Sequence, residues 1–185
     1  MNAVAGPETV IHRSRLQKGM RLLDVGSGPG RLALPAARQV GETGEVMALD
    51  IQARMLDKLR RRAEQQGVGN IRLVEAGAGE GQVDENYFDR AWLVTVLGEI
   101  ANKEAALTEI HRALKTGGIL SITEVIPDPH YIGRSRLRAL CGAAGFEETE
   151  SFGGRLAFTI NFRKPNNNRG NNRGQIPVFP NIRRN

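Results

Sequence analysis

Two patterns of apolar and polar residues alternate along this chain, one typical of strands and the other typical of helices. Short apolar runs between turn residues predict strands at 20–25, 45–49, 70–75, 88–96, 119–126, from 145–146 onward and at 155–162. Apolar residues spaced three and four positions apart predict helices at 31–40, at 52–66, from Asn102 to a stop at Gly117 and Gly118, and at 135–144. A glycine-rich stretch at 77–81 stands where another helix would be expected.

Strands that alternate with helices predict an α/β fold built on a parallel sheet. The strand predicted at 88–96 is almost continuously apolar, as expected for a central strand buried on both faces. The last two predicted strands follow each other directly and are joined by Gly153 and Gly154. This arrangement predicts a mostly parallel sheet that ends in a C-terminal antiparallel hairpin.

A glycine-rich turn joins the first predicted strand to the first predicted helix. It contains Asp24, Gly26, Gly28 and Gly30 at every second position, and Asp50 ends the next strand. Glycines allow a sharp turn and a close approach of the backbone to a ligand, and the start of the helix offers free N–H groups. A carboxylate at the end of the second strand can accept hydrogen bonds from two ribose hydroxyls. The segment therefore predicts a nucleoside-binding site.

The spacing of the glycines separates two kinds of nucleoside ligand. A dinucleotide-binding turn has a glycine three residues after its second one, and Arg31 occupies that position here. The observed pattern resembles the first motif of class I S-adenosylmethionine-dependent methyltransferases, and this resemblance implies that Asp24 meets the ammonium group of the cofactor. Three further phrases, at 87–100, 113–120 and 143–146, resemble small-molecule methyltransferases of the ubiquinone/menaquinone-biosynthesis type.

The resemblance covers residues 18 to about 164 and implies the Rossmann-like class I methyltransferase sheet. It also implies a set of cofactor contacts at the carboxyl ends of the strands. These are Asp24, Gly26, Ser27, Gly28, Gly30, Asp50, Ile51, Gly77, Ala78 and Thr95. Ile51 and Met55 are expected to pack against the adenine ring, although core packing would explain Met55 equally well.

Two departures from the family pattern concern the cofactor. Where the family commonly has Gly-Asp-Ala after the third strand, this chain has Ala76, Gly77 and Ala78, so the aspartate contact to the adenine amino group is absent. A backbone N–H at Ala78 is the remaining candidate for that contact. Fewer than twenty residues precede the first strand, whereas relatives carry helices there that cover the site. An open site, a covering partner or a lost segment would each account for this.

Methyl transfer mainly requires alignment and exclusion of water, and a base is needed only if the acceptor must lose a proton. The candidates for that base are Glu99 and His130, with Tyr131 a further one. Each has a structural explanation as well, because Glu99 could cap the helix that follows and His130 lies in a Pro-Asp-Pro-His turn. No metal site is expected, since a single cysteine, Cys141, excludes a cysteine cluster and His111 has no nearby set of ligands.

Composition divides the chain into three parts: a short extension at 1–17, the domain at 18–164 and an Asn/Arg/Gly-rich tail at 165–185 that is predicted to be disordered. The formal charge of +6 is concentrated in that tail, which holds four arginines and no acid. No apolar run is long enough to span a membrane and no secretory signal is evident, so the cytoplasm is the expected location.

The leading hypothesis is a methyltransferase that uses S-adenosylmethionine and acts on a small organic acceptor. An RNA methyltransferase anchored by the tail is a second hypothesis, but a domain close to neutral lacks the basic face it would need. A binding module without turnover is a third, supported by the missing aspartate and the short N-terminus. Measured turnover would eliminate the third hypothesis, and salt-sensitive RNA binding lost with residues 165–185 would support the second.

Overall fold

The computed structural model of the chain describes residues 6–126 and 128–166. A seven-stranded sheet forms its centre. The strands are β1 (Arg21–Val25), β2 (Glu45–Asp50), β3 (Ile71–Glu75), β4 (Phe88–Val94), β5 (Leu114–Val125), β6 (Glu147–Gly153) and β7 (Ala157–Arg163). Their order across the sheet is β3-β2-β1-β4-β5-β7-β6. The first five strands are parallel, and β7 runs antiparallel between β5 and β6. The predicted fold class is confirmed.

Helices cover both faces of this sheet. They are α1 (Pro7–Arg13), α2 (Ala33–Val40), α3 (Ala53–Gln65), α4 (Lys103–Ala113) and α5 (Arg134–Ala143). Neighbouring residues of each central strand enter opposite cores, so Leu22 packs with α1, α2 and α3 whereas Leu23 packs with α4 and α5. Cys141 is a fully buried residue of the second core. Residues 77–81 form no helix, which also agrees with the sequence.

The predicted end of the helix that begins near Asn102 is wrong. The helix α4 ends at Ala113, and β5 begins at once with Leu114, so Gly117 and Gly118 lie inside the strand. Leu114 pairs with Phe88 on β4, although its apolar side chain also fits the helical stripe. The register shifts between Phe88 and Arg90, and this irregularity accommodates the two glycines. Strand pairing across the chain therefore overrides the local signal for a turn.

The helix α1 lies in the segment for which the sequence predicts no structure. Only Val10 of this short helix is fully buried, so no periodic pattern is visible. Distant residues hold its C-terminal end: Asn161 donates to the carbonyl of Arg13 at 2.7 Å, and Arg90 donates to the carbonyl of Ser14 at 2.9 Å. The predicted disordered tail lies, apart from residues 165 and 166, outside the described residues.

Candidate cofactor-binding site

A cavity of about 740 Å³ opens at the carboxyl ends of β1, β2, β3 and β4. This volume is within the roughly 300–1,000 Å³ typical of small-molecule sites. Nine of the ten residues predicted to contact the cofactor line it, together with Met55 and Glu99. The nine are Asp24, Gly26, Ser27, Gly28, Asp50, Ile51, Gly77, Ala78 and Thr95.

Gly30 is not among the residues that line the cavity, so its contact with the cofactor stays a prediction. Its φ is +82°, and a Cβ there would overlap the side chain of Leu59, so this glycine is required by the packing of the turn against α3. Gly26 has φ +69°, and a Cβ there would lie 2.6 Å from Val96. Gly28 has φ +53° with nothing within 4 Å of the Cβ position, so it leaves open space for a ligand.

Asp50 ties the end of β2 to the glycine turn. Its Oδ2 accepts the N–H of Gly28 at 2.8 Å, and its Oδ1 accepts the N–H of Gln52 at 2.8 Å. The side chain is buried yet lines the cavity. Because each carboxylate oxygen has a second lone pair, Asp50 can accept two ligand hydroxyls while it holds the turn.

Asp24 lies at the end of β1, deep in the cavity. Its Oδ1 accepts the indole N–H of Trp92 at 2.6 Å, and its Oδ2 is buried with no hydrogen-bond partner among the described residues. Burial raises the pKa of this carboxyl to about 7; the nearby charge of Asp50 also raises it, while the bond from Trp92 and the charge of Arg31 lower it. A buried, unpartnered carboxylate oxygen is costly unless a cation meets it, so the residue fits the ammonium group of a bound cofactor.

Trp92 is a site residue that the sequence analysis missed. It is fully buried on β4, in register with Asp24 on the neighbouring strand. In the sequence it belongs to a continuous apolar run, which indicates only core packing. Its role as a donor depends on strand pairing between residues far apart in the chain, which the local sequence pattern does not indicate.

The base side of the cavity is formed by Ala76 to Glu80 and by the start of α4. Of the residues expected near the adenine ring, Ile51 is 70 % exposed and Met55 half-buried, and both line the cavity. An exposed apolar side chain at a cavity mouth can pack against the face of a base. The N–H of Gly79 donates to Glu109, a buried residue of α4 that the sequence analysis also missed.

Thr95, Val96 and Glu99, which follow β4, also line the cavity. Thr95 has φ +57°, an uncommon conformation for a residue other than glycine, and its N–H donates to the carbonyl of Thr123 on β5 at 2.9 Å. Glu99 is exposed into the cavity and does not cap α4, because Asn102 supplies that cap through Ala105 N–H at 3.0 Å.

The other candidate bases lie elsewhere. His130 is exposed, is not among the residues that line the cavity, and donates its backbone N–H to Asp128 at 2.7 Å. This bond is typical of a turn built by an aspartate. Tyr131 packs edge-on against Phe158, with ring centroids 6.0 Å apart. Among the described residues, no group of three or more His, Cys, Asp or Glu side chains could hold a metal ion.

The strand order, the glycine turn and the two acids around it define a Rossmann-like α/β domain with a site for a nucleoside-containing cofactor. A family model described as "Methyltransferase domain" matches residues 16–149. This chain belongs to that family and has the class I S-adenosylmethionine-dependent methyltransferase fold. In the part of the chain that the structure describes, no helix has the length and apolar character needed to cross a membrane.

Relatives and solved structures agree with this assignment. A ubiquinone/menaquinone biosynthesis C-methyltransferase of Coxiella burnetii is 40% identical over 115 residues, which are 62% of this chain and 46% of that protein. The chain thus spans about half the length of the curated relatives it matches. A SAM-dependent methyltransferase from Aquifex aeolicus superposes with a TM-score of 0.79 at 22% identity, covering 86% of this chain and 90% of the other.

A second solved structure shows that this fold alone does not define a reaction. The [4+2]-cyclase SpnF superposes with a TM-score of 0.78 at 22% identity, covering 86% of this chain and 80% of the other. A protein named for a cyclisation therefore shares this architecture with proteins named for methyl transfer. The fold defines the cofactor-binding scaffold, and the reaction must be argued from the residues of the site.

Proposed function

We propose that this chain binds S-adenosylmethionine and transfers its methyl group to a carbon atom of a small organic acceptor of the quinone class. The observation that carries the proposal is one cavity lined both by the features suited to the cofactor and by a candidate base. Asp24, Asp50 and the glycine turn line it, and so does Glu99. The similarity to a C-methyltransferase of ubiquinone and menaquinone biosynthesis supports the acceptor class.

The residues that line the cavity have separate tasks in this proposal. Asp50 accepts the ribose hydroxyls, Asp24 pairs with the ammonium group, and Ile51 packs on the adenine ring. The cofactor supplies a methyl group on a positively charged sulfur, which the acceptor carbon takes by in-line displacement. Exclusion of water and alignment of the acceptor are then the main contributions of the chain.

Glu99 is the residue that we assign to the proton. A ring carbon that gains a methyl group must lose its hydrogen as a proton, and in this proposal the Glu99 carboxylate, which lines the cavity, accepts it. His130 stays a prediction from the sequence, because its side chain is exposed and outside the cavity lining. A location in the cytoplasm likewise stays a prediction.

The first test is calorimetric titration of S-adenosylmethionine and S-adenosylhomocysteine into the purified chain. We expect micromolar binding of both ligands, with Asp50→Ala as the control that loses it. No binding to the unaltered chain would contradict the proposal at its first step. Such a result would favour a degenerate domain over an enzyme.

The second test addresses Glu99. With a reduced quinone as acceptor, Glu99→Gln should lower kcat by about 100-fold or more while S-adenosylmethionine binding stays unchanged, as expected for loss of a general base. His130→Ala serves as the matched control and should retain kcat. A loss of kcat in His130→Ala but not in Glu99→Gln would instead assign the role of the base to His130. Turnover of RNA but not of quinones would instead favour the RNA methyltransferase hypothesis.

A further inference from the structure

Glu109 is a buried acid on α4 that the proposed reaction does not use. It is 3% exposed, lies behind the cavity wall and belongs to none of the predicted contacts. One of its carboxyl oxygens, Oε2, accepts the backbone N–H of Gly79. The other, Oε1, is buried and has no hydrogen-bond partner among the described residues.

The loop that Glu109 holds forms the base side of the cavity. Gly77, Ala78 and Gly79 all line the cavity, and they follow the end of β3. Gly79 has φ +100°, and a Cβ there would lie 3.0 Å from the backbone nitrogen of Ala106. The loop therefore lies directly against the α4 backbone, and Glu109 adds a hydrogen bond from the same helix.

This arrangement is unfavourable for stability taken alone. A buried carboxyl group with one unpartnered oxygen costs free energy that an apolar side chain of similar size would not. The bond to Gly79 recovers part of that cost and fixes one particular main-chain position. The buried acid thus fixes the geometry of this loop. Gly77 and Ala78, which line the cavity there, have no polar side chain of their own.

Resting on the function proposed above, we propose that Glu109 is a positioning residue for adenine recognition. It holds the main chain of Gly77, Ala78 and Gly79 at the edge of the base, where this chain lacks the aspartate of the family pattern that it resembles. A main-chain N–H held there donates to the N1 acceptor of adenine. Hypoxanthine carries a hydrogen on N1, so the same N–H would oppose it.

Binding selectivity tests this role without any turnover. Calorimetry would compare S-adenosylhomocysteine with S-inosylhomocysteine, its hypoxanthine counterpart, on the full chain and on its variants. The unaltered chain should prefer the adenine ligand by at least about tenfold, the scale expected when a site is built to hydrogen-bond one base edge. Glu109→Ala should reduce this preference to about twofold or less, because the loop is no longer held.

Two variants separate positioning from general destabilisation. Glu109→Gln keeps a side-chain oxygen that can accept the Gly79 N–H, so it should retain most of the preference. Glu104→Ala removes an acid from an exposed position of the same helix and should leave the preference unchanged. If Glu109→Ala does not fold, Glu109→Asp, which withdraws the carboxyl by one methylene, provides the same comparison.

The possible outcomes point to different conclusions. Equal weakening of both ligands in the Glu109 variants, with the preference intact, would overturn the positioning role. A lack of preference in the unaltered chain would also overturn it, while leaving the proposed function standing. Failure of the unaltered chain to bind either ligand would refute the proposed function itself, and this inference with it.

Discussion

The two walls of the cavity are built in different ways. On the ribose side, Asp24 and Asp50 lie at strand ends and present carboxylates directly to the cavity. On the base side, Gly77 and Ala78 bring no polar side chain. Gly79 of the same loop is held by Glu109, thirty positions further along the chain. In the proposed complex the first wall recognises the ligand with side chains, whereas the second does so with a main chain that another element supports.

The largest expected effect comes from breaking the side-chain wall at Asp50. Asp50→Ala should weaken S-adenosylhomocysteine binding by roughly 100-fold or more, since it removes hydrogen bonds to a charged group that are each worth about 1.5–3 kcal/mol. It also removes the acceptor of the Gly28 N–H, so the turn loses its tie to β2. Calorimetry measures the effect. A loss below about fivefold would mean that Asp50 does not bind the ribose.

The next effect is the pH dependence that Asp24 should impose on cofactor binding. Its pKa is raised to about 7, mainly by burial, and only the ionised carboxylate can pair with an ammonium group. Affinity for S-adenosylmethionine should therefore rise by about tenfold between pH 5.5 and 8, as expected for a group that titrates in this range. Asp24→Asn should flatten the profile, and an unchanged profile would contradict the pairing.

Trp92 should set the midpoint of that profile. Trp92→Phe removes the N–H that lowers the pKa of Asp24, so the rise in affinity should move to higher pH. The smaller ring also leaves a cavity and lowers stability. Phe162→Leu is the matched control, because Phe162 is a fully buried aromatic on β7, away from the site. It should lower stability without moving the midpoint.

Stability of the ligand-free chain should follow the opposite trend. A carboxyl whose pKa is higher in the folded chain than in the unfolded one stabilises the fold at low pH, and this contribution is lost as pH rises from about 4 through about 7. Glu124, whose pKa burial also raises to about 7, adds to the same trend. Denaturant unfolding should thus show lower stability at pH 8 than at pH 5.5, with a smaller difference in Asp24→Asn.

The contrast between the walls also explains what could be predicted from the sequence. The glycine turn and Asp50 are local signals next to strongly patterned strands, so both the fold and this wall could be predicted. Trp92, Glu109 and the contacts of α1 depend on partners brought together only by strand order and helix packing. Leu114 illustrates the same limit, because its side chain fits a helix stripe while its backbone pairs with β4.

The smallest effect should come from rebuilding the base wall with a side chain. Gly77 occupies the position of the aspartate in the family pattern that the sequence resembles, and its φ does not require a glycine. A Cβ there would lie 2.6 Å from a carboxyl oxygen of Glu80, so Gly77→Asp alone would meet both a clash and a like charge. Combined with Glu80→Ala, it should tighten S-adenosylhomocysteine binding by about fivefold, the gain from one added hydrogen bond to a charged group after desolvation.

Glu80→Ala alone is the control for this double variant, since Glu80 is exposed at the cavity rim. It should bind the ligand as the unaltered chain does. If the added aspartate takes over adenine recognition, the preference over S-inosylhomocysteine should also become insensitive to Glu109→Ala in this background. If Glu109→Ala still abolishes the preference for the adenine ligand in this background, the added aspartate does not recognise the base. Recognition would then depend on the main chain of the loop.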